Sequence, residues 1–136
     1  MADFVEIFST SFQRVSEQKT QGAFFHQFYE SFLGSSEQIA EKFKNTDIER
    51  QKEMLRVSLL EMLAFSTSHK SSVHMDMLAA IHSKADKNIT PEMYDAWLKA
   101  ILETVEQVDP EYDDNVALAW KIVLTPGIVF MKHHYE

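Results

Sequence analysis

His82 is the side chain in this sequence best placed to do chemistry. It lies in the segment His74 to Trp97, HMDMLAAIHSKADKNITPEMYDAW, with Leu78 and Ile81 before it and Ala85 one turn after. Helical spacing puts its imidazole on the apolar face of an amphipathic helix. A buried neutral imidazole donates from one ring nitrogen and can ligate a metal with the other. A lone histidine on an apolar face is more commonly a hydrogen-bonded core residue, so the signal needs support from the rest of the chain. Competing chemistries are thin. There is no Ser/His/Asp arrangement, glycine-rich phosphate loop or HExxH spacing, and the acidic pairs Asp113–Asp114 and Glu49–Glu53 read as helix-surface charge. With no cysteine, disulfides, thiolate catalysis, zinc–thiolate sites and cysteine-ligated clusters are excluded. His26, His69, His74, His133 and His134 read as solvated, and adjacent residues such as the last two diverge on a helix.

Composition bounds the rest. A chain of 136 residues is long enough to bury one core without crosslinks and reads as one domain. Its net charge of −8 repels phosphate backbones and anionic lipid, so neither nucleic acid nor membrane is an expected partner. The first residues, MADFVEIFSTSFQRV, carry acids early and no basic stretch leading into an apolar one. No apolar run approaches the length that spans a bilayer, and the expected location is the cytoplasm. Ten phenylalanines and seven methionines supply adaptable filling, suited to an irregular cavity around a flat ligand or to an ordinary helical core.

Apolar residues recur at helical rather than alternating spacing, which predicts an all-α domain without repeats or linkers. The first helix is expected from about Asp3 to Lys19, burying Phe4, Phe8, Phe12 and Val15. The second runs from about Thr20 to Leu33, carrying Phe24, Phe25, Phe28, Tyr29 and Phe32 and stopping at Gly34. Ser35 with Gln38, and Thr46 with Glu49, have capping-box spacing for a short third helix to Phe43 and a long fourth to about Phe65. Ser66 to Ser72 reads as a loop, after which Ser72 caps a helix of about Val73 to Ala85. Thr90–Pro91 and Asp109–Pro110 each read as an N-cap with proline at the first helical position. The helices they open reach about Val108 and about Tyr135, the last kinked near Pro126. Seven helices, one of them short, suit large crossing angles around a cavity better than a four-helix bundle.

In this order the chain resembles a globin, specifically a bacterial single-domain globin related to sensor globins. The residues carrying the resemblance are Phe28–Tyr29, Phe43 fifteen positions beyond Phe28, His82, and the segment NITPEMYDAWL at 88–98. It implies a globin fold of about seven helices around a haem pocket, of the three-over-three type rather than truncated. It implies haem b, iron protoporphyrin IX, with His82 as the iron ligand and the sixth position open to a diatomic gas. Phe43 takes the place that packs on the haem face. Met54, Ser58, Leu78, Ile89, Met93, Tyr94 and Trp97 are expected cofactor contacts, although the stripe Met93, Tyr94, Trp97 could equally be plain core. Tyr29 takes the position that donates a hydrogen bond to the gas, or else turns its hydroxyl elsewhere in the core. Counting back from His82 puts Arg50 at the usual distal position, with Gln51 beside it as a second donor. No distal histidine is present, and Met54 could pack there or offer its thioether.

The function implied is reversible binding of O2, NO or CO for storage, sensing or detoxification. NO dioxygenation or peroxidase-like turnover would need a separate reductase, and sensing a signalling partner. Apolar faces on the first and last helices could serve a homodimer. The alternative is a globin-fold regulatory module without haem, whose pocket is filled by side chains.

Overall fold

The structure, a computed structural model, describes residues 2–17 and 22–136. Seven α-helices follow in chain order: α1 (Phe4–Ser16), α2 (Ala23–Leu33), α3 (Glu37–Phe43), α4 (Ile48–Ser68), α5 (Val73–His82), α6 (Pro91–Val108) and α7 (Asp114–His133). There is no strand among the described residues. The expected junction of the first two helices, Lys19 and Thr20, lies outside the described residues. Helices α1, α4 and α5 each meet α7, and α4 also meets α2, while α6 runs beside both α2 and α7. The result is three helices over three, as expected.

Most helix starts are set by one polar side chain, and several differ from the sequence reading. Ser36, not Ser35, caps α3 by accepting from the Ile39 amide at 3.1 Å. The Ser35 hydroxyl donates back to the Phe32 carbonyl and so closes α2 instead. Asp47, not Thr46, caps α4, accepting from the Glu49 and Arg50 amides; a carboxylate there also complements the positive helix end. The expected loop at Ser66 is helical through Ser68, where His69 in the left-handed region (φ 59°) turns the chain. Thr90–Pro91 opens α6 with proline at the first position as expected, although Thr90 makes no side-chain cap.

Asp109–Pro110 is the largest departure, because it opens no helix. Asp109 ends α6, Pro110 sits in a turn, and Asp113 caps α7 through the Val116 amide at 2.8 Å. The Asp109 carboxylate is instead buried, 4% exposed, beneath α1. It accepts from the Ser11 hydroxyl at 2.6 Å and from Arg14 Nε and Nη2 at 2.7 and 2.8 Å. Ser11 in turn accepts from Trp120 Nε1 at 2.9 Å. Two buried polar groups, Ser11 of α1 and Asp109, are thereby satisfied, while the apolar face of α1 sets Phe8 edge-on to Trp120 and stacks Phe12 on it.

Helix α7 is the spine. Against the expectation, its length and mean hydropathy (20 residues, 1.3) are those of a bilayer span. Here it serves as a core helix, burying Trp120, Val123, Leu124, Gly127 and Ile128 against its neighbours. It continues through Pro126 as one helix. At Gly127 it lies so close to α4 that an added Cβ would sit 2.9 Å from Met62 Cε and 3.0 Å from Met62 Cγ. That close crossing accounts for a glycine inside a helix, where it otherwise costs stability.

Burial alone pushes the Asp109 carboxyl up, but the bonds from Arg14, Ser11 and the Glu111 amide outweigh it and hold it below the ordinary carboxylate range. A depressed folded value stabilises fully above the unfolded value of about 3.9, and that gain disappears as pH falls through the folded value. Asp109→Asn is therefore expected to cost about 2 kcal/mol in urea unfolding at neutral pH. It should also flatten the loss of stability on acidification, and an unchanged acid limb would contradict this assignment.

Candidate functional site

The described residues hold no cluster of three His, Asp or Glu side chains able to chelate a bare ion. Any metal at His82 must therefore bring most of its ligands with it. The histidine itself is prepared for that role. His82 is half-buried in the last turn of α5, and its Nδ1 lies 2.7 Å from the Leu78 carbonyl. A carbonyl only accepts, so Nδ1 carries the proton and the neutral ring's lone pair sits on Nε2. Nε2 has no hydrogen-bond partner among the described residues. Burial holds the imidazole below the ordinary histidine range, against the opposing pull of the Leu78 carbonyl and the Asp86 carboxylate. At neutral pH the ring is therefore neutral, with a lone pair free on Nε2.

The face of α5 that bears His82 differs from the sequence expectation. Met75 and Ala79 are its buried residues and Leu78 is half-buried, whereas Ile81 is 39% exposed and Ala85 lies beyond the helix end, exposed. Across from it, Met54, Ser58 and Glu61 share one stripe of α4 at helical spacing. Glu61 accepts from the Ser72 hydroxyl at 2.8 Å, at the very start of α5, so this stripe of α4 is turned toward α5. Met54 and Leu78 are half-buried and stand outside the packed core cluster. Both are apolar side chains that the core cluster leaves out.

An aromatic group joins α2, α3 and α6. Phe43, half-buried at the end of α3, sets its ring edge-on to Tyr29 at 6.3 Å and to Phe32 at 5.9 Å. Phe28 stands edge-on to Tyr29 at 4.9 Å and to Trp97 at 6.1 Å. Tyr29 is buried and burial pushes its phenol up, so it keeps its proton. That proton goes to the Gln51 backbone carbonyl at 3.0 Å, in the first turns of α4. Of the two proposed distal donors, half-buried Gln51 thus shares a corner with Tyr29. Arg50 is exposed, and its guanidinium has no partner among the described residues. Met93 and Tyr94 are buried members of the core cluster, while Ile89 and Trp97 pack on it half-buried. His26, exposed, pairs with Glu30 at 3.3 Å, while His69, His74, His133 and His134 are likewise exposed, as expected.

One part of the site escaped the sequence reading. The loop after His82 is stitched by the Ile89 amide to the His82 carbonyl (3.1 Å) and the Asn88 amide to the Ser83 carbonyl (2.9 Å). The C-terminus then ties it down. The Tyr135 carbonyl accepts from the Lys84 amide at 2.6 Å, and the Tyr135 hydroxyl donates to Asn88 Oδ1 at 2.5 Å. Asn88 adopts a left-handed conformation (φ 55°), which asparagine tolerates and which is the one local clue in the sequence.

No family model matches the sequence, and no curated protein does. Among solved structures, one from Pseudomonas aeruginosa PAO1 superimposes with a TM-score of 0.90 at 34% identity, covering 98% of each chain. It is described as structurally highly homologous to a human haemoglobin. The present chain belongs to that globin-like family. Identity over the whole length makes the layered arrangement of this globin a family property rather than a chance of helix packing.

Two outcomes follow for the protein without ligand. Among the six histidines, a side-chain NMR titration should place His82 below about 6.5. Tyr135→Phe should speed amide exchange of Lys87 to Ile89 by roughly tenfold, the worth of about one hydrogen bond, and leave the α1–α7 core unchanged.

Proposed function

We propose that this globin binds haem b through His82 and reversibly binds a diatomic gas, O2, NO or CO, on the opposite side. The observation that carries the reading is a neutral imidazole whose Nε2 has no hydrogen-bond partner among the described residues, on a helix whose Leu78 stays outside the core. The residues present fit the group. A flat apolar macrocycle that already chelates its metal needs one nitrogen donor and two apolar walls, and a porphyrin meets both demands. Bound haem would supply a metal that His82 Nε2 could ligate and that could take up a diatomic gas. Leu78 and Ile89 are the proximal contacts on this reading, with Met54, Ser58, Phe43 and Trp97 on the remaining walls and Met93 and Tyr94 supporting from the core.

Each distal residue has a defined task. The Tyr29 hydroxyl has a single proton, given to the Gln51 carbonyl at 3.0 Å. To serve a gas it must leave that acceptor, so its net contribution is the difference between two hydrogen bonds in a low-dielectric site. Gln51, on the same corner, is the second donor. Arg50 can contribute only by folding back from solvent. The Leu78 carbonyl holds the His82 ring in one orientation and makes Nε2 more basic, as second-shell acceptors do for ligating histidines.

Hemin titrated into the purified protein should give one equivalent of a Soret-absorbing complex, lost or strongly weakened in His82→Ala. A protein that takes up no hemin would leave the haem-free regulatory module as the reading. In the loaded protein Tyr29→Phe should speed O2 release by up to about tenfold, since the bond given up to Gln51 leaves at most about 1.4 kcal/mol net. An unchanged release rate would transfer the donor role to Gln51.

A further inference from the structure

Helix α7 fills the core with one side, yet its outward side is apolar as well. Leu118, Ile122, Thr125 and Val129 follow at spacings of four, three and four residues, which on an α-helix makes one straight stripe. All four are exposed, the three aliphatic ones by 43%, 43% and 58%. The Thr125 hydroxyl donates to the Lys121 carbonyl at 2.5 Å, so it needs no partner from outside. No charged residue interrupts the stripe. Apolar residues at alternating spacings of four and three are what one helix presents to another.

Two features select the occupant. The stripe is a palindrome: turned end for end about the point between residues 123 and 124, Leu118 falls on Val129 and Ile122 on Thr125. An identical antiparallel helix therefore covers it along its whole length. Charge has the same symmetry with opposite sign. Asp113 and Asp114 stand at the start of α7, Lys132 and His133 at its end. Parallel copies would set like charges together, whereas antiparallel copies set Asp114 against Lys132 of the second copy, on the same flank of the stripe. They also oppose the two helix dipoles. Within its bounds α7 carries Asp114 against Lys121 and Lys132, in a chain of net charge −8, so repulsion between copies is least on this side. The acids of α6, Asp95, Glu103 and Glu106 against Lys99, lie across a groove of about 400 Å³ and border the contact. An anionic bilayer would be repelled by the whole molecule, and a neutral one offers nothing to Asp114 or Lys132. We propose that α7 pairs with α7 of a second copy, antiparallel, about a two-fold axis at residues 123 and 124. Such a helix is about 30 Å long, and with the α6 border the pair covers roughly 1,000 Å² in total. That is the lower limit of a specific contact, so a weak, concentration-dependent dimer is expected. The proposal does not rest on haem binding.

The test is sedimentation of the full chain over a concentration series. Wild type should pass reversibly from monomer to dimer, and Ile122→Glu, with its helix content checked by circular dichroism, should stay monomeric. Asp114→Lys and Lys132→Asp should each weaken association at least about tenfold. Their equimolar mixture should regain it, because opposite charges then meet at both ends; loss of the Lys132–Asp95 pair alone would not give that rescue. The chain has no cysteine, so introduced ones report the axis. A short bismaleimide should join copies of Thr125→Cys, about 4.5 Å apart along the helices, and not copies of Val129→Cys, about 16.5 Å apart. Equal linking at both positions would mean parallel pairing and overturn the proposal. So would a monomer at every concentration, a dimer indifferent to Ile122→Glu, a mixture that fails to associate, or Ile122-dependent capture of monomers by phosphatidylcholine vesicles. None of these residues belongs to the proposed haem site, so Soret titration of the same variants reports that reading separately.

Discussion

A single hydrogen bond, from His82 Nδ1 to the Leu78 carbonyl one turn back, organises the chemistry of this molecule. It fixes the tautomer, aims the ring, and leaves Nε2 as the only nitrogen with a lone pair to offer. Burial does the complementary work by disfavouring the cation, so proton and metal do not compete at neutral pH. The bond is local, yet its orientation in the molecule is not. It depends on where α5 sits, and α5 is a ten-residue helix with two buried side chains.

Stability is concentrated away from that helix. The node of Ser11, Arg14, Asp109 and Trp120 joins α1, the end of α6 and α7. At Gly127 the Met62 side chain of α4 packs against the backbone of α7. Between these anchors the aromatic wall of Phe28, Tyr29, Phe43 and Trp97 is rigid, because each ring is held edge-on by another. Helix α5 is instead positioned by polar ties at its ends: Ser72 to Glu61 at the start, and the C-terminal Tyr135 to the loop that follows it. Helix α5 is thus held less firmly than the helices around the core, and it is the element where local opening is expected first.

The helical framework was legible in the sequence because 3.6-residue periodicity reports burial directly. Phe8, Val15, Phe28, Leu55 and Leu59 are all core residues at positions their spacing required. The pair Tyr29 and Phe43 was legible only through the resemblance to globins, and the two rings do meet edge-on at 6.3 Å. What failed was mostly capping. Ser35 and Ser36 are adjacent and chemically identical, and only the chain's path decides which one caps α3. Asp109 looked like a helix start because it precedes proline. Its true partners lie 95 and 98 residues away, a distance no local pattern reports. Ile81 was placed on the wrong face since its apolar character was taken to mean burial, whereas it stands on the exposed side of α5. The tie from Tyr135 to Asn88, 47 residues apart, was unreadable for the same reason as Asp109.

The central claim is that one imidazole nitrogen holds the metal, and vibrational spectroscopy reads that bond itself. Resonance Raman spectra of the hemin-loaded, ferrous protein should show an iron–imidazole stretching band. In His82→Gly the band should vanish and return when free imidazole is added. A band that persists unchanged in His82→Gly without imidazole would contradict the account, since the axial ligand would then be some other side chain.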